Sequence, residues 1–332
     1  MAATPGARRT AAAATALVVA AAVGTGLWWT LGRDDPDRDC AGLRTDARVR
    51  TVLGDTWRSD LPCGELAAGL RRATVGTRPG AHTLGQAHAM RTVVLAVADS
   101  AGHRVHPDVR GPLAEALADY AADTHTVLTG VSNTAMAHDG PDDDAWQDDR
   151  GVHFAVREDQ LIEVLRGLAE SPAAYAGLRG ADLRQGAAGL AAVPADPSPA
   201  AIEDPLARAA APAGVFDGIA DDVLRGRSGA ARTAWQEGVL QGLAPAGAPP
   251  AFGDAPAEYL ARTWLGRLAE PAPTARERFA RLDDQANGLL GLWADATHQD
   301  GARIGLPALR DRARASTDRE RGAAAGQLEQ EA

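Results

Sequence analysis

Seven of the eight histidines fall between residues 82 and 153, a stretch also rich in aspartate. His103, His106 and Asp108 form a His-x-x-His-x-Asp string, and Asp123 and His125 follow within one helix length. Imidazole nitrogens and carboxylate oxygens are the ligands zinc takes. Further along, Asp139, Asp142, Asp143, Asp144, Asp148 and Asp149 surround Trp146. Acids this close repel one another unless water or a cation neutralises them, and calcium is the cation that carboxylates hold. The EF-hand register fails, however. Counted from Asp139, the place that needs glycine holds Asp144 and the place that needs the closing glutamate holds Arg150. His103 and His106 also stand beside Gly102 and Pro107, in what reads as an interhelical turn where solvated histidines are common. The candidate metal ligands are thus His103, His106, Asp108, Asp139, Asp142 and Asp144, with a solvated acidic loop as the plainer reading and no cofactor expected.

Other catalytic templates are missing. The sequence has no Gly-x-Ser-x-Gly elbow, no Gly-x-x-x-x-Gly-Lys phosphate loop and no His-Glu-x-x-His pair. Adjacent acids such as Asp221 with Asp222 and Asp283 with Asp284 are what a soluble helix surface carries anyway. Cys40 and Cys63 are the only two cysteines. Their spacing is far from the Cys-x-x-Cys of a redox centre, and in an oxidising compartment such a pair is most simply a disulfide.

The elements that must position these groups read as helices. The chain is 45% hydrophobic but only 4% aromatic, with 36 Gly and 20 Pro, so its core is built from Ala, Leu and Val, which favours closely packed helices over a sheet. Leu84, Ala87, Met90, Val94, Leu95, Val97 and Ala98 recur at three and four residues, the mark of one buried helical face. A second helix is expected to open at Pro112 and to bury Leu113, Leu117, Tyr120 and Leu128. A third covers about Arg157 to Glu170. The prolines between Val193 and Pro205 predict a loop, followed by short helices around Phe216 to Val223 and Trp235 to Leu243, then a second break from Ala244 to Pro256. Two more helices follow, the last opened by the capping box Thr274-x-x-Glu277 and striped by Phe279, Leu282, Ala286, Leu289, Leu290 and Trp293. Residues 307–332 are polar and thin in large apolar side chains, which predicts a frayed helix or a disordered tail.

At the amino end, Thr10 to Gly32 is an apolar run without a charge, preceded by Arg8 and Arg9 and followed by Arg33, Asp34 and Asp35. About 22 residues at ~1.5 Å each reach roughly 33 Å, enough to cross a hydrocarbon core. The arginines mark a cytoplasmic side and Trp28 and Trp29 suit an outer aromatic belt. A cleaved signal peptide is the rival reading, but the run is long for one and no small-x-small site follows the tryptophans. The expected order is a cytoplasmic terminus at 1–9, a transmembrane anchor at 10–32, an extracytoplasmic helical domain at 33–306 and the polar tail. All the basic residues are arginine, and the net charge of -10 carries no footprint of nucleic-acid binding.

The segments His106-Pro-Asp-Val-Arg-Gly-Pro-Leu, Asp159-Gln-Leu-Ile-Glu-Val-Leu-Arg-Gly-Leu, Ser171-Pro-Ala-Ala-Tyr175 and Gly214-Val-Phe-Asp-Gly-Ile-Ala-Asp-Asp222 together resemble a helical module of actinomycete proteins of unknown function. Some of those proteins are linked to WXG100-type (type VII) secretion. The resemblance spans about residues 85–240 and carries over no functional residue. It implies an envelope protein with a helical scaffold. The fold expected is therefore all-α, a single transmembrane helix followed by a multi-helix bundle. The expected role is non-catalytic binding or scaffolding at the membrane's outer face, with an envelope or secretion-machinery protein as partner. The alternative is a metal-dependent envelope hydrolase built on the His/Asp cluster of residues 103–153.

Overall fold

The computed structural model describes residues 38–101, 104–130, 133–140 and 143–330, and its regular elements are almost all helices. The run at 10–32 lies outside the described residues, as do residues 1–9, His103 and Asp142. Among the described residues no helix is long and apolar enough to cross a membrane.

The first part holds α1 (Arg38–Thr45), α2 (Ala47–Leu53), α3 (Cys63–Thr74), α4 (Leu84–Ala101), α5 (Pro107–Asp119), α6 (Ala121–Leu128), the single turn α7 (Asn133–Met136), and α8 (Glu158–Leu168). Between α7 and α8 sits a two-stranded antiparallel hairpin, β1 (Trp146–Gln147) against β2 (Val152–His153), with Trp146 opposite His153. The second part holds α9 (Pro172–Ala191), α10 (Pro199–Arg225), α11 (Gly229–Gly242), α12 (Pro256–Ala269), α13 (Ala275–Phe279), α14 (Gln285–Ala296) and α15 (Leu306–Gln330). One contiguous core runs from Cys40 to Leu328. The fold is all-α, as the composition predicts.

Cys40 and Cys63 form a disulfide with Cα atoms 6.0 Å apart, pinning α1 to the first turn of α3. Helix α9 is the axle of the fold. It packs against α5 and α6 on one side and α10, α11, α12 and α14 on others, and most of its residues are buried, among them Tyr175, Leu178, Arg179, Leu183 and Leu190, leaving one exposed strip of Ala173, Gly177, Arg184 and Ala188. Because its exposed strip is mostly Ala and Gly while its buried faces include Arg179 and Asp182, it lacks the one-sided periodicity by which the other helices are recognised.

Several expected boundaries are corrected. The second helix opens at Pro107, not Pro112, with His106 as its N-cap. The predicted loop to Pro205 ends early, because α10 starts at Pro199 and carries Pro205 and Pro212 within it. Burial of Ile202, Leu206 and the alanines at 209, 210 and 211 outweighs the two lost backbone donors. The long stripe after Thr274 is broken by a 3-10 turn, Ala280–Asp284, between α13 and α14, although Thr274 does cap α13 through Glu277 N at 3.1 Å.

The polar tail is the largest correction. Residues 306–330 form α15, which runs alongside α10 in the same direction, Arg312 pairing with Glu203 near one end and Arg225 with Glu329 (2.9 Å) at the other. Besides burying Leu309 and Leu328, it closes tightly on α10 at small residues. A Cβ on Gly214 would lie 2.2 Å from Thr317 O, and one on Gly218 would lie 2.6 Å from Arg321 O. The two backbones approach at a small-residue stripe, and Arg321 adds a two-point grip on Asp221 at 2.6 and 2.8 Å.

At the centre, the fully buried Arg179 of α9 donates to Ala213 O on α10 and to Leu282 O (3.2 Å), and its Nη2 lies 3.0 Å from the Asp217 carboxylate. Burial pushes the Asp217 carboxyl up to about 7, against the pull of Arg179. Removing one member of such a pair strands the other charge. Arg179→Met is therefore expected to cost roughly 3–5 kcal/mol in urea unfolding. Arg179→Met with Asp217→Leu is expected to recover most of that loss. Separately, Cys40→Ser with Cys63→Ser is expected to lower stability by about 3 kcal/mol.

Candidate functional site

The histidines and aspartates that stand out in the sequence are brought together in a way their spacing hides. Asp123 on α6 is buried, and its Oδ1 lies 2.7 Å from His153 Nδ1 on β2, while its Oδ2 accepts Phe154 N at 3.3 Å. The other ring nitrogen of His153, Nε2, lies 3.0 Å from Asp148 Oδ1. Asp148 in turn accepts Arg150 N (2.8 Å) and Gly151 N (3.2 Å), which forms the hairpin turn. Two residues further along α6, on another face, His125 Nδ1 meets Asp182 Oδ1 of α9 at 2.7 Å.

The electrostatics follow from this geometry. Hydrogen bonding to Asp123, reinforced by Asp148, raises His153 above the ordinary histidine value. Burial pushes Asp123 upward and outweighs the opposite pull of His153. The backbone N–H of Arg150 and the ring of His153 lower Asp148. His153 thus links two carboxylates, one at each ring nitrogen. Neither of its nitrogens offers the free lone pair that a general base needs.

Beside this link is a cavity of about 310 Å3, lined by Gly80, His82, Tyr120, Asp123, His153 and Arg184. His82 stacks on Tyr120, ring centroids 3.6 Å apart, and its Nε2 is 3.4 Å from Asp119 O. His82 Nδ1 is buried in protein without a partner. The Tyr120 hydroxyl donates to Thr74 O at 2.8 Å, and burial with nearby Asp123 raises its pKa, so it stays a neutral phenol.

Parts of the acidic loop are tied to neighbouring groups. Asp144 pairs with His88 of α4, whose hydrogen bond holds the carboxyl below its usual range. Arg91, buried on the same helix, donates to Ala155 O (3.1 Å) and to Gly140 O. Asp143 accepts Gly140 N at 2.8 Å, and His138 stacks on Trp146 with centroids 4.3 Å apart.

Four of the six expected metal ligands lie among the described residues. His106 is buried and accepts Asp108 N through Nδ1 (3.2 Å), serving as a helix cap, while Asp108 is exposed. Asp144 belongs to His88, and Asp139 lies near Arg157. Among the described residues no group of three or more His, Cys, Asp or Glu side chains is arranged to hold a metal ion. His82, His88, Tyr120, Asp182 and Arg184 are site residues that spacing does not reveal, because their partners stand 30 to 57 residues away or on other helices. Compared with protein-family profiles, curated proteins and solved structures, the chain matches none.

The His153 link sets a pH response. A group whose folded value is raised lends stability that is fully present below its unfolded value of about 6.5 and is lost as pH rises through the folded value. Melting temperatures of the native protein and His153→Gln, followed from about pH 6 to about pH 9, are expected to converge at high pH. A constant gap across that range would show that His153 is not charged in the fold.

Proposed function

We propose that the protein is a non-catalytic binding or scaffolding component of the cell envelope. It is anchored by residues 10–32, with its helical body on the outer face of the membrane and the hairpin from Asp143 to Val156 as its contact surface. One observation carries this reading: both ring nitrogens of His153 are held by carboxylates, at 2.7 and 3.0 Å. That arrangement fixes a loop in place and leaves no free acid–base group on the ring. The pairing of His88 with Asp144 and the grip of Arg91 on Ala155 hold the same loop further along. A surface presented rigidly loses less entropy when a partner docks.

The Cys40–Cys63 disulfide supports an oxidising, extracytoplasmic setting. It begins just beyond the apolar run, so body and anchor fit one topology. An envelope or secretion-machinery protein is the partner class suggested by the resemblance of the helical segments.

The test is crosslinking of the tagged full-length protein in intact cells, with captured partners identified by mass spectrometry. The expected result is specific recovery of one envelope component, lost in the surface double variant Asp149→Arg with Arg150→Glu, whose melting temperature should stay within about 2 °C of the native value. Turnover of an envelope substrate by the purified protein with added metal would overturn the reading.

A further inference from the structure

A second, larger cavity lies away from the histidines, where α10, α11, α13 and α15 meet. Its volume is about 610 Å3, and its walls include Arg225, Arg232, Arg276 and Arg321 against Asp221 and Asp283. Four guanidinium groups around one hollow stand out on a chain whose net charge is -10.

The four are not equivalent. Arg321 is neutralised by Asp221 at 2.6 Å and by Asp283 at 3.3 Å. Arg225 reaches Asp222 (3.3 Å) and Glu329 (2.9 Å). Arg232 donates to the uncharged Arg225 carbonyl at 3.1 Å and meets no carboxylate among the described residues. Arg276 meets neither a carboxylate nor a carbonyl among them. Two unneutralised cations therefore line the same cavity.

Gln236, one turn beyond Arg232 on α11, also lines the cavity; it is only 9% exposed, and its amide makes no hydrogen bond to the described residues. Its amide atoms reach the water of the cavity, where a ligand can hydrogen-bond them. Leu224 and Phe279 supply apolar wall. The amino end of α11, at Gly229, brings the positive end of its helix dipole to the same place.

We propose that this cavity binds a phosphate monoester. The phosphoryl dianion sits between Arg232 and Arg276, whose planar forks match its oxygens and whose two charges match its two. Gln236 hydrogen-bonds the ester side, and an apolar substituent rests on Leu224 and Phe279. The volume suits a small organic ligand. This site is separate from the hairpin surface, so its fate does not decide the scaffold reading.

The experiment is isothermal titration calorimetry of the full-length protein in non-ionic detergent with phenyl phosphate. Saturable one-site binding that weakens with added salt is expected, with inorganic phosphate and phenol each weaker. Arg232→Gln and Arg276→Gln are each expected to weaken it about tenfold and Gln236→Ala about threefold. Both arginines are exposed, so circular dichroism and melting should be unchanged and any loss of binding can be assigned to the site. Displacement of phenyl phosphate by short-chain phosphatidic acid and not by a sugar phosphate would support a lipid source, and the reverse a soluble one. Displacement by neither, no saturable binding by the folded native protein, or native affinity in both arginine variants would overturn the proposal. Release of inorganic phosphate during the titration would keep the cavity as the site but overturn the non-catalytic reading, which separates the two failures.

Discussion

The buried pairing of Arg179 with Asp217 is the constraint on which the second half of the molecule depends. A guanidinium with no exposure must find partners for its donors, and here they come from α9's neighbours: a carboxylate and a carbonyl on α10, and a carbonyl in the 3-10 turn before α14. Three segments far apart in sequence are thereby fixed to one side chain. The aromatic groups follow the same centre. Tyr175 donates to Phe216 O at 3.1 Å, and its ring leads through Trp235 to Phe279, with centroids 5.0 and 5.6 Å apart. The pair is not fully satisfied, since Arg179 Nε and Asp217 Oδ2 lack partners. Its worth therefore lies more in specifying how the helices meet than in net stability.

The first half adds a second chemistry. There, beside arginine pairs such as Arg48 with Asp46 and Asp99, histidine is joined to aspartate: His153 to Asp123 and Asp148, His125 to Asp182, His88 to Asp144. An acidic chain without lysine has these two cations with which to bind its carboxylates internally. The arginine links keep their charge at all ordinary pH, whereas the His153 link loses its charge as pH rises. The hairpin is consequently tied down by the pH-sensitive kind and the α10–α15 contact by the insensitive kind.

Much of the fold is legible from side-chain pattern alone. Helix α4 follows from the repeat of Leu84, Ala87, Met90 and Val94, α12 from its proline start, and the disulfide from having two cysteines and no metal motif. What pattern could not show shares one cause. Helix α9 buries Arg179 and Asp182 and exposes mostly Ala and Gly, α10 tolerates Pro205 and Pro212 because of what packs on it, and α15 approaches α10 closely at Gly214 and Gly218. In each case the deciding partner lies far away in sequence, and local propensity is outweighed. The candidate site was legible as a region, through its crowd of histidines and aspartates. The actual pairings were not, since His153 meets Asp123 across 30 residues and His125 meets Asp182 across 57.

Two parallel helices cannot be joined by a tight turn, and the chain between α10 and α15 has to travel back the whole length of the pair through α11, α12, α13 and α14. The stripe of Ala210, Gly214 and Gly218 therefore stays bare from the moment α10 is synthesised until α15 arrives. During that interval the nascent chain carries a groove shaped for one particular helix and open to any other with small side chains. Completion of the fold is in this sense a check on α15: a chain that lacks it leaves that groove exposed for chaperones and proteases to recognise.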